Sequence, residues 1–461
     1  MDDKRQKTQV ELALATKSRG EALKLRREGT ESPMAERETE SLAEGQLMEQ
    51  VCERENLKRA LARVKRNKGS AGVDGMSVAE LSGYLKVHWP AIRERLLAGQ
   101  YQPLPVRRVE IDKPGGKDKR KLGIPCVLDR FIQQAMLQVL EPIFEPTFSE
   151  FSYGFRPWRS AHQAVALAQT YIAEGHLWVV DLDLEKFFDR VNHDILMSRV
   201  AKKVSDKRVL GLIRRYLQAG VLERGLVEAT DEGTPQGGPL SPMLSNILLT
   251  DLDRELERRG HRFVRYADDS NIYVKSEHAG QRVKASITRF LETRLKLKVN
   301  EAKSAVAQPW QRKFLGFSFT RPSRLRRRIA PQALTRFQQR VRELTDRNQG
   351  RALGEVIDRL ALYLRGWRGY FGFCETPSVL RDLDSWIRHR LRSLVWKQWK
   401  RGRRRYAELV RRGVSRDLAA QTAGSSHGPW RLAKSPALHI ALSTAYFATF
   451  GLPRLHVSPT A

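Results

Sequence analysis

The chain has 461 residues, enough for two or three domains with real cores, and carries 83 Lys and Arg against 52 Asp and Glu, a formal charge of +31. That excess points to a polyanionic partner, nucleic acid ahead of a membrane surface, and no apolar run reaches the roughly 18 residues of a membrane span. Cys52, Cys126 and Cys374 are scattered and form no CxxC pair, which argues against a disulfide framework or a zinc site and for inert core thiols. The N-terminal stretch has neither an apolar h-region nor the acid-poor composition of a transit peptide, so a cytosolic location is expected. Residues 1–45 are polar, charge-mixed and poor in aromatics, the composition of a disordered leader.

Leu47, Val51, Leu57, Leu61 and Val64 recur at helical spacing and predict a helix ending near Asn67-Lys68-Gly69. Two short helices, over about 77–87 and 90–97, lead to an extended segment over 103–111. Residues 113–121 then place Lys113, Lys117, Lys119, Arg120 and Lys121 in a glycine-bearing turn. Such a hairpin tip either closes over phosphates or is simply solvated. Residues 129–140 are patterned as a helix that Pro142 and Pro146 should end. A loop with aromatics and an arginine, Phe151 through Pro157, precedes helix from about Ser160.

Residues 177–183 read as an apolar strand ending in acids, with Asp181 and Asp183 on one face by their spacing of two. Residues 233–242 form a rigid Pro/Gly loop that lets backbone approach a substrate closely, and a helix follows over about 243–259. Two half-apolar runs then flank Tyr266-Ala267-Asp268-Asp269, the pattern of a β-hairpin with acids at its tip. Adjacent strand side chains point to opposite faces, so both carboxylates reach one place only where the chain turns. A bare Asp-Asp pair is usually a solvated turn. Here the acid-ended strand offers a third carboxylate, and three together suit Mg²⁺, which favours oxygen ligands. After an amphipathic helix over 286–297, Lys303 and a strand at 314–319, the chain becomes basic and helical, over about 332–347, 353–370 and 379–400. Trp367, Tyr370, Phe371, Trp386, Trp396 and Trp399 there read mostly as bundle core. The many surrounding cations read as contacts to a phosphate backbone.

In order along residues 55–455, Arg120-Lys121-Leu122-Gly123-Ile124-Pro125, Tyr153-Gly154-Phe155-Arg156-Pro157, the Asp183 strand, Thr234-Pro235-Gln236-Gly237, Tyr266-Ala267-Asp268-Asp269 and Phe314-Leu315-Gly316-Phe317 resemble a group II intron-encoded reverse transcriptase, or maturase. Leu364-Arg365-Gly366-Trp367 and Trp386-Ile387-Arg388 resemble that family's thumb, or domain X. The resemblance implies an α+β right-hand polymerase: fingers and palm (antiparallel sheet plus helices) with an N-terminal extension over 46–320, an all-helical thumb over 321–405, and a basic segment over 406–461 as a DNA-binding region.

It further implies Asp183, Asp268 and Asp269 as catalytic carboxylates holding two Mg²⁺ ions with the Leu184 backbone carbonyl. Asp183 is favoured over Asp181 because the family's steric-gate aromatic falls five positions later, at Phe188. Lys113, Arg120, Gln236 and Lys303 are implied at the nucleotide. Arg156, Arg326, Arg327, Arg388, Arg392, Lys397, Lys400, Arg403 and Arg404 are expected on nucleic acid. The implied partners are group II intron RNA, an RNA template with DNA primer, dNTPs and target DNA, in a bacterial cytosol or nucleoid, with no membrane and a homodimer left open. Neither the cysteines nor the length allow the HNH endonuclease domain of many relatives, so mobility is expected to use a primer made some other way. Two readings stay open beside this one: an RNA-binding splicing cofactor with little polymerase activity, and a retron, diversity-generating or CRISPR-associated (antiviral defence) reverse transcriptase.

Overall fold

Helical spacing in the first ordered stretch produces two helices rather than one, α1 (Leu47–Val51) and α2 (Arg54–Asn67), because Glu53 takes an extended conformation between them. The computed structural model describes residues 46–112, 119–223, 226–228, 232–234 and 237–456, and these elements all belong to one unit, Leu47–Ala461. The expected leader, 1–45, lies outside the described residues. The two short helices expected next are a single helix, α3 (Leu81–Leu97), with Pro90 inside it. A proline there forfeits one helical hydrogen bond. Leu81, Ile92 and Leu96, each at most 1% exposed, anchor both halves in the core and outweigh that loss.

The extended segment becomes β1 (Val106–Asp112), paired antiparallel with β2 (Lys119–Ile124). α4 (Val127–Phe144) carries Pro142 inside rather than ending before it, and a 3-10 turn, Glu145–Thr147, follows. Its buried face, including Phe131, Ala135, Met136 and Leu140, again overrides the proline. Near its start, Asp129 is 1% exposed, accepting from the Tyr101 hydroxyl at 2.9 Å and from Leu104 N at 3.3 Å. α5 (Ala161–Ala173) opens on a capping box of Ser160 and Gln163.

The central sheet uses β3 (Trp178–Asp183) and three strands contributed later in the chain. Between them come α6 (His193–Val200), α7 (Lys207–Gln218), β4 (Val221–Glu223), β5 (Leu226–Glu228) and α8 (Ser241–Arg258). β4 joins β1 in parallel, giving a peripheral sheet of order β2-β1-β4-β5. β6 (Arg262–Tyr266) and β7 (Asp269–Val274) are the expected hairpin. α9 (Glu277–Phe290) then leads to β8 (Ala305–Ala307). The sheet order is β6-β7-β3-β8, with every neighbour antiparallel. Leu248, Leu249, Leu252 and Leu256 of α8 pack one face against Leu182, Phe263 and Ile272, and α5 covers part of the other through Ala164, Val165 and Ala168.

β9 (Phe317–Phe319) pairs with β10 (Arg327–Ile329) and starts the helical part: α10 (Pro331–Leu344), α11 (Leu353–Phe371), α12 (Pro377–Gln398), α13 (Gly402–Arg411) and α14 (Arg416–Ala423). Three short helices follow, ending at Thr449. Trp367, Trp396 and Trp399 are buried, as expected for a bundle core. That core runs without a break through residue 405, joining Phe337 and Trp367 to Leu409, Leu438 and Phe447. Asp384, 5% exposed, accepts from Leu455 N at 3.0 Å and His456 N at 3.0 Å. The bundle docks on α5 through His162 Nε2 at 2.8 Å from Tyr370 O, and through Arg327, which pairs with Glu375 at 2.9 Å and donates to Gln169 at 2.6 Å. Burial pushes the Cys52 and Cys126 thiols up to about 11, in keeping with inert cysteines. No helix among the described residues is long and apolar enough to cross a membrane.

Burial lifts the Asp129 pKa to about 6 against the opposing pull of its hydrogen-bond donors. A raised carboxyl pKa means the fold favours the protonated form, so this contribution to stability is full below the ordinary pKa of 3.8 and is lost as pH rises through about 6. Denaturant titrations of wild type and Asp129→Asn across that window should show the wild type losing up to about 3 kcal/mol relative to the variant. Parallel pH curves for the two proteins would contradict the assignment.

Candidate functional site

In the β6–β7 hairpin Tyr266 pairs with Asp269, so Ala267 and Asp268 alone make the turn. Ala267 has φ +58°, a conformation that costs a residue with a Cβ roughly 1 kcal/mol or more. The strain is held by Arg265, whose side chain is completely buried. Its Nε and Nη2 donate to the Asp253 carboxylate at 2.7 and 2.6 Å, and its Nη1 donates to Ala267 O at 2.9 Å and Asn246 Oδ1 at 3.0 Å. Asn246 in turn donates to Gly154 O at 2.8 Å. The Arg265 backbone is bonded on both sides to the preceding loop, to Phe151 O and from Tyr153 N, each at 2.9 Å. Gly154 lies so close beneath the turn that a Cβ would stand 2.3 Å from Ala267 N.

Sequence reading missed this clamp. Its signals were an arginine one residue before the motif, directly after the apolar Phe263-Val264, and an aspartate, Asp253, on the face of α8 that carries Leu249, Leu252 and Leu256.

The clamp presents the turn to the end of β3. Register sets Asp183 opposite Asp269 and Asp181 opposite Asn271, so Asp181, Asp183 and Asp269 share one face. The Asp183 backbone is fixed by Ser304 Oγ, which accepts from its N at 2.9 Å, and by Asn300 N, which donates to its O at 2.8 Å. Asp181 is paired with Arg312 at 2.6 Å. Asp183, two-fifths exposed, has Lys303 Nζ 3.4 Å from Oδ2. Leu184 bridges Val299 across the strand end.

Burial, then the charges of Asp181, Asp268 and Asp183, push the pKa of Asp269 up to about 8, with Lys313 opposing. Such a cluster is short of positive charge. Among the described residues no three His, Cys, Asp or Glu side chains are gathered closely enough to hold a metal ion as they stand. The donor set nevertheless fits a hard divalent cation: oxygen ligands only, mutually repelling, with an ammonium drawn to 3.4 Å.

Phe188 lies in the turn Phe187–Asp189 just beyond β3, partly exposed beside the buried Phe187. Its carbonyl accepts from Thr234 N at 2.6 Å, and Gly233 N donates to Val191 O at 2.7 Å. Gly233 has φ +98° and a Cβ there would stand 3.0 Å from Phe188 O, so the Pro/Gly loop starts clamped to the Phe188 turn. Farther on, a Cβ at Gly237 would stand 2.6 Å from Gly123 O of β2. Gln236 and Lys113 lie outside the described residues. Arg120 pairs with Ile111 through the strand register.

The cations expected on nucleic acid divide into two sets. Arg156 is buried instead, its guanidinium bound to Glu145 at 2.8 Å and to Ser152 O at 2.7 Å. Arg392 is 6% exposed and donates to Leu442 O at 3.0 Å, while Arg327 is spent on Glu375 and Gln169. Arg388 is largely buried near Asp384, at 3.9 Å. These four satisfy internal acceptors rather than facing a ligand. Lys397, Lys400, Arg403 and Arg404 are exposed, and Arg326 is half-buried.

The reverse transcriptase (RNA-dependent DNA polymerase) family matches residues 111–319, and the group II intron, maturase-specific domain matches residues 334–413. The chain is 37% identical over 273 residues to Protein YkfC of Escherichia coli (strain K12), a match covering 51% of this chain and 71% of that protein. It is 32% identical over 316 residues to the group II intron-encoded protein LtrA of Lactococcus lactis subsp. cremoris, covering 54% of this chain and 52% of LtrA. It is also 37% identical over 185 residues to an uncharacterized 91 kDa protein in a cob intron of Schizosaccharomyces pombe, covering 40% and 22%. The chain thus matches about half the length of LtrA and a smaller share of the yeast protein.

Removing the Arg265 guanidinium would strand the buried Asp253 carboxylate. Arg265→Met should lower stability by about 3–5 kcal/mol in denaturant unfolding, and the joint Arg265→Met, Asp253→Leu change should recover part of that loss. Equal stability of wild type and the single variant would show that the clamp carries no such energy.

Proposed function

Because the chain belongs to the group II intron-type reverse transcriptases, with a polymerase domain followed by a maturase-specific domain, we propose that it extends a DNA primer on an RNA template with Asp183, Asp268 and Asp269 as its catalytic carboxylates. We propose also that its basic helical half binds intron RNA and promotes splicing. The observation that best supports the catalytic reading is the pairing of Asp183 with Asp269 at the mouth of a turn that a buried arginine holds rigid. Polymerases of this family generally use divalent metal ions. Here Asp183, Asp268, Asp269 and the Leu184 carbonyl would hold two Mg²⁺ ions, which when bound activate the attacking 3′-hydroxyl and stabilise the leaving pyrophosphate.

The chain's own groups do the rest. Lys303, 3.4 Å from Asp183, has its ammonium at the edge of the carboxylate cluster, where the charge of a triphosphate would arrive. Lys113, Arg120 and Gln236 complete the nucleotide contacts in this reading. Phe188, its carbonyl pinned by Thr234 N, would set its ring against the sugar and exclude a 2′-hydroxyl. The exposed cations Lys397, Lys400, Arg403 and Arg404 support the RNA-binding role.

Extension of a DNA primer on an RNA template with Mg²⁺ tests the carboxylates. Asp183→Ala and Asp268→Ala should each lose on the order of 10³-fold in rate, the equivalent of several kcal/mol of transition-state stabilisation. Full activity in either variant would refute its assignment. Retained intron-RNA binding and splicing by Asp268→Ala would show that the two roles separate. Phe188→Ala should keep primer extension while gaining roughly tenfold or more in ribonucleotide incorporation. An unchanged dNTP-to-rNTP ratio would remove Phe188 from the sugar site.

A further inference from the structure

The hairpin that ends in the carboxylates begins at a second, differently charged place. Where β6 starts and β7 ends, a cavity of about 800 Å³ opens, lined by His176, Arg259, His261, Arg262, Lys275 and Arg282. Among the described residues no carboxylate lines it. The strand pair Arg262–Tyr273 lies four residue steps from Tyr266–Asp269, roughly 13 Å of strand, so this cavity is separate from the carboxylate cluster.

The rim is partly preorganised and partly uncommitted. Arg259 is held by Glu255, through Nε at 2.7 Å, and by Ser286 Oγ. Arg262 reaches Glu174 only at 3.8 Å and lies over the Tyr171 ring. Lys275 and Arg282 are exposed and make no ion pair among the described residues. Burial and the charge of Arg259 depress the pKa of His261, which is consistent with a site of positive potential. Beneath the cations, the buried Tyr273 and Val283 form an apolar floor.

We propose that this cavity is a second nucleic-acid site, binding the phosphate backbone of an RNA strand outside the polymerase cleft. The volume falls within the roughly 300–1,000 Å³ of sites for drug-sized ligands and exceeds what one phosphate fills. Long cations around an apolar floor match a chain of phosphates with sugars and bases between them. The choice of RNA over DNA rests on the maturase reading; the anion site itself does not.

The test uses the full chain carrying Lys275→Glu and Arg282→Glu, with the exposed pair Lys202→Glu and Lys203→Glu as a control of equal charge change. Binding of a long structured RNA transcript is measured across a salt series, beside extension of a short primed RNA template. The Lys275/Arg282 variant should bind the transcript about tenfold or more weakly, and its slope of log affinity against log salt should shrink by about 1.4. Extension of the short template should stay at the wild-type rate, which also shows that the variant is folded. The milder Lys275→Gln, Arg282→Gln pair should fall between the two.

Unchanged affinity and slope would overturn the proposal, as would an equal loss in the Lys202/Lys203 control, which would make the effect one of net charge. If calorimetry shows inorganic phosphate bound by wild type and not by the variant while transcript binding is unmoved, the site takes a small phosphate and the RNA assignment falls. Greater loss on duplex DNA than on the transcript would overturn the choice of RNA. A wild type that fails to extend primers yet shows the expected RNA effects would sink the polymerase reading and leave this one standing.

Discussion

A fully buried arginine–aspartate pair is the constraint on which this molecule depends. Arg265 and Asp253 are both removed from water, so each is tolerable only because the other is present and because Asn246 and the Ala267 carbonyl take up the remaining donors of the guanidinium. Pairs of this kind add little net stability compared with a well-packed apolar core, but they are specific in direction. Here the direction matters. One guanidinium nitrogen fixes the carbonyl of a strained alanine, and the arginine backbone stitches the Phe151–Gly154 loop alongside. Helix α8, the loop and the turn are thereby tied to one point, and Asp268 in the turn and Asp269 at the start of β7 inherit its rigidity.

The electrostatics follow from that placement. Strand register brings Asp183 and Asp269 onto one face with Asp181, and the resulting repulsion is only partly relieved by Arg312 and Lys303. Burial first, and then that unrelieved repulsion, raise the Asp269 pKa. A site that holds carboxylates together against their own charge stores an affinity for cations, which is what the chemistry of phosphoryl transfer requires. The Pro/Gly loop adds a second constraint. Gly233 against Phe188 and Gly237 against Gly123 bring β2, the loop and the turn after β3 into contact, with no room for a side chain at Gly237 and a positive φ that disfavours one at Gly233.

Much of this was legible in the sequence, because the decisive features are local. The acid-ended strand, the acid-tipped hairpin and the long helices after residue 331 follow from periodicity and turn chemistry, and the structure reproduces them closely. Proline positions misled, at Pro90 and Pro142, since burial of apolar faces on both sides is worth more than one lost hydrogen bond. Charge misled as well. Composition counts cations but does not show which face inward, and Arg156, Arg327 and Arg392 satisfy internal acceptors. Arg265 stayed hidden for the same reason: its partner lies 12 residues away on another element.

The carboxylate of Asp384 has a consequence for how the chain is made. It is nearly inaccessible to solvent, with Arg388 of its own helix 3.9 Å away, and its hydrogen-bond donors are the backbone amides of Leu455 and His456, the first of them 71 residues downstream. Ribosomes add roughly 5–20 residues per second, so several seconds pass between the synthesis of this acid and the arrival of the amides that hydrogen-bond it. Until then α12 has no complete interior to fold into. The central sheet, whose strands are finished by residue 307, can mature while the bundle waits. The two halves of the protein are therefore born in sequence, the central sheet first and the helical bundle after it.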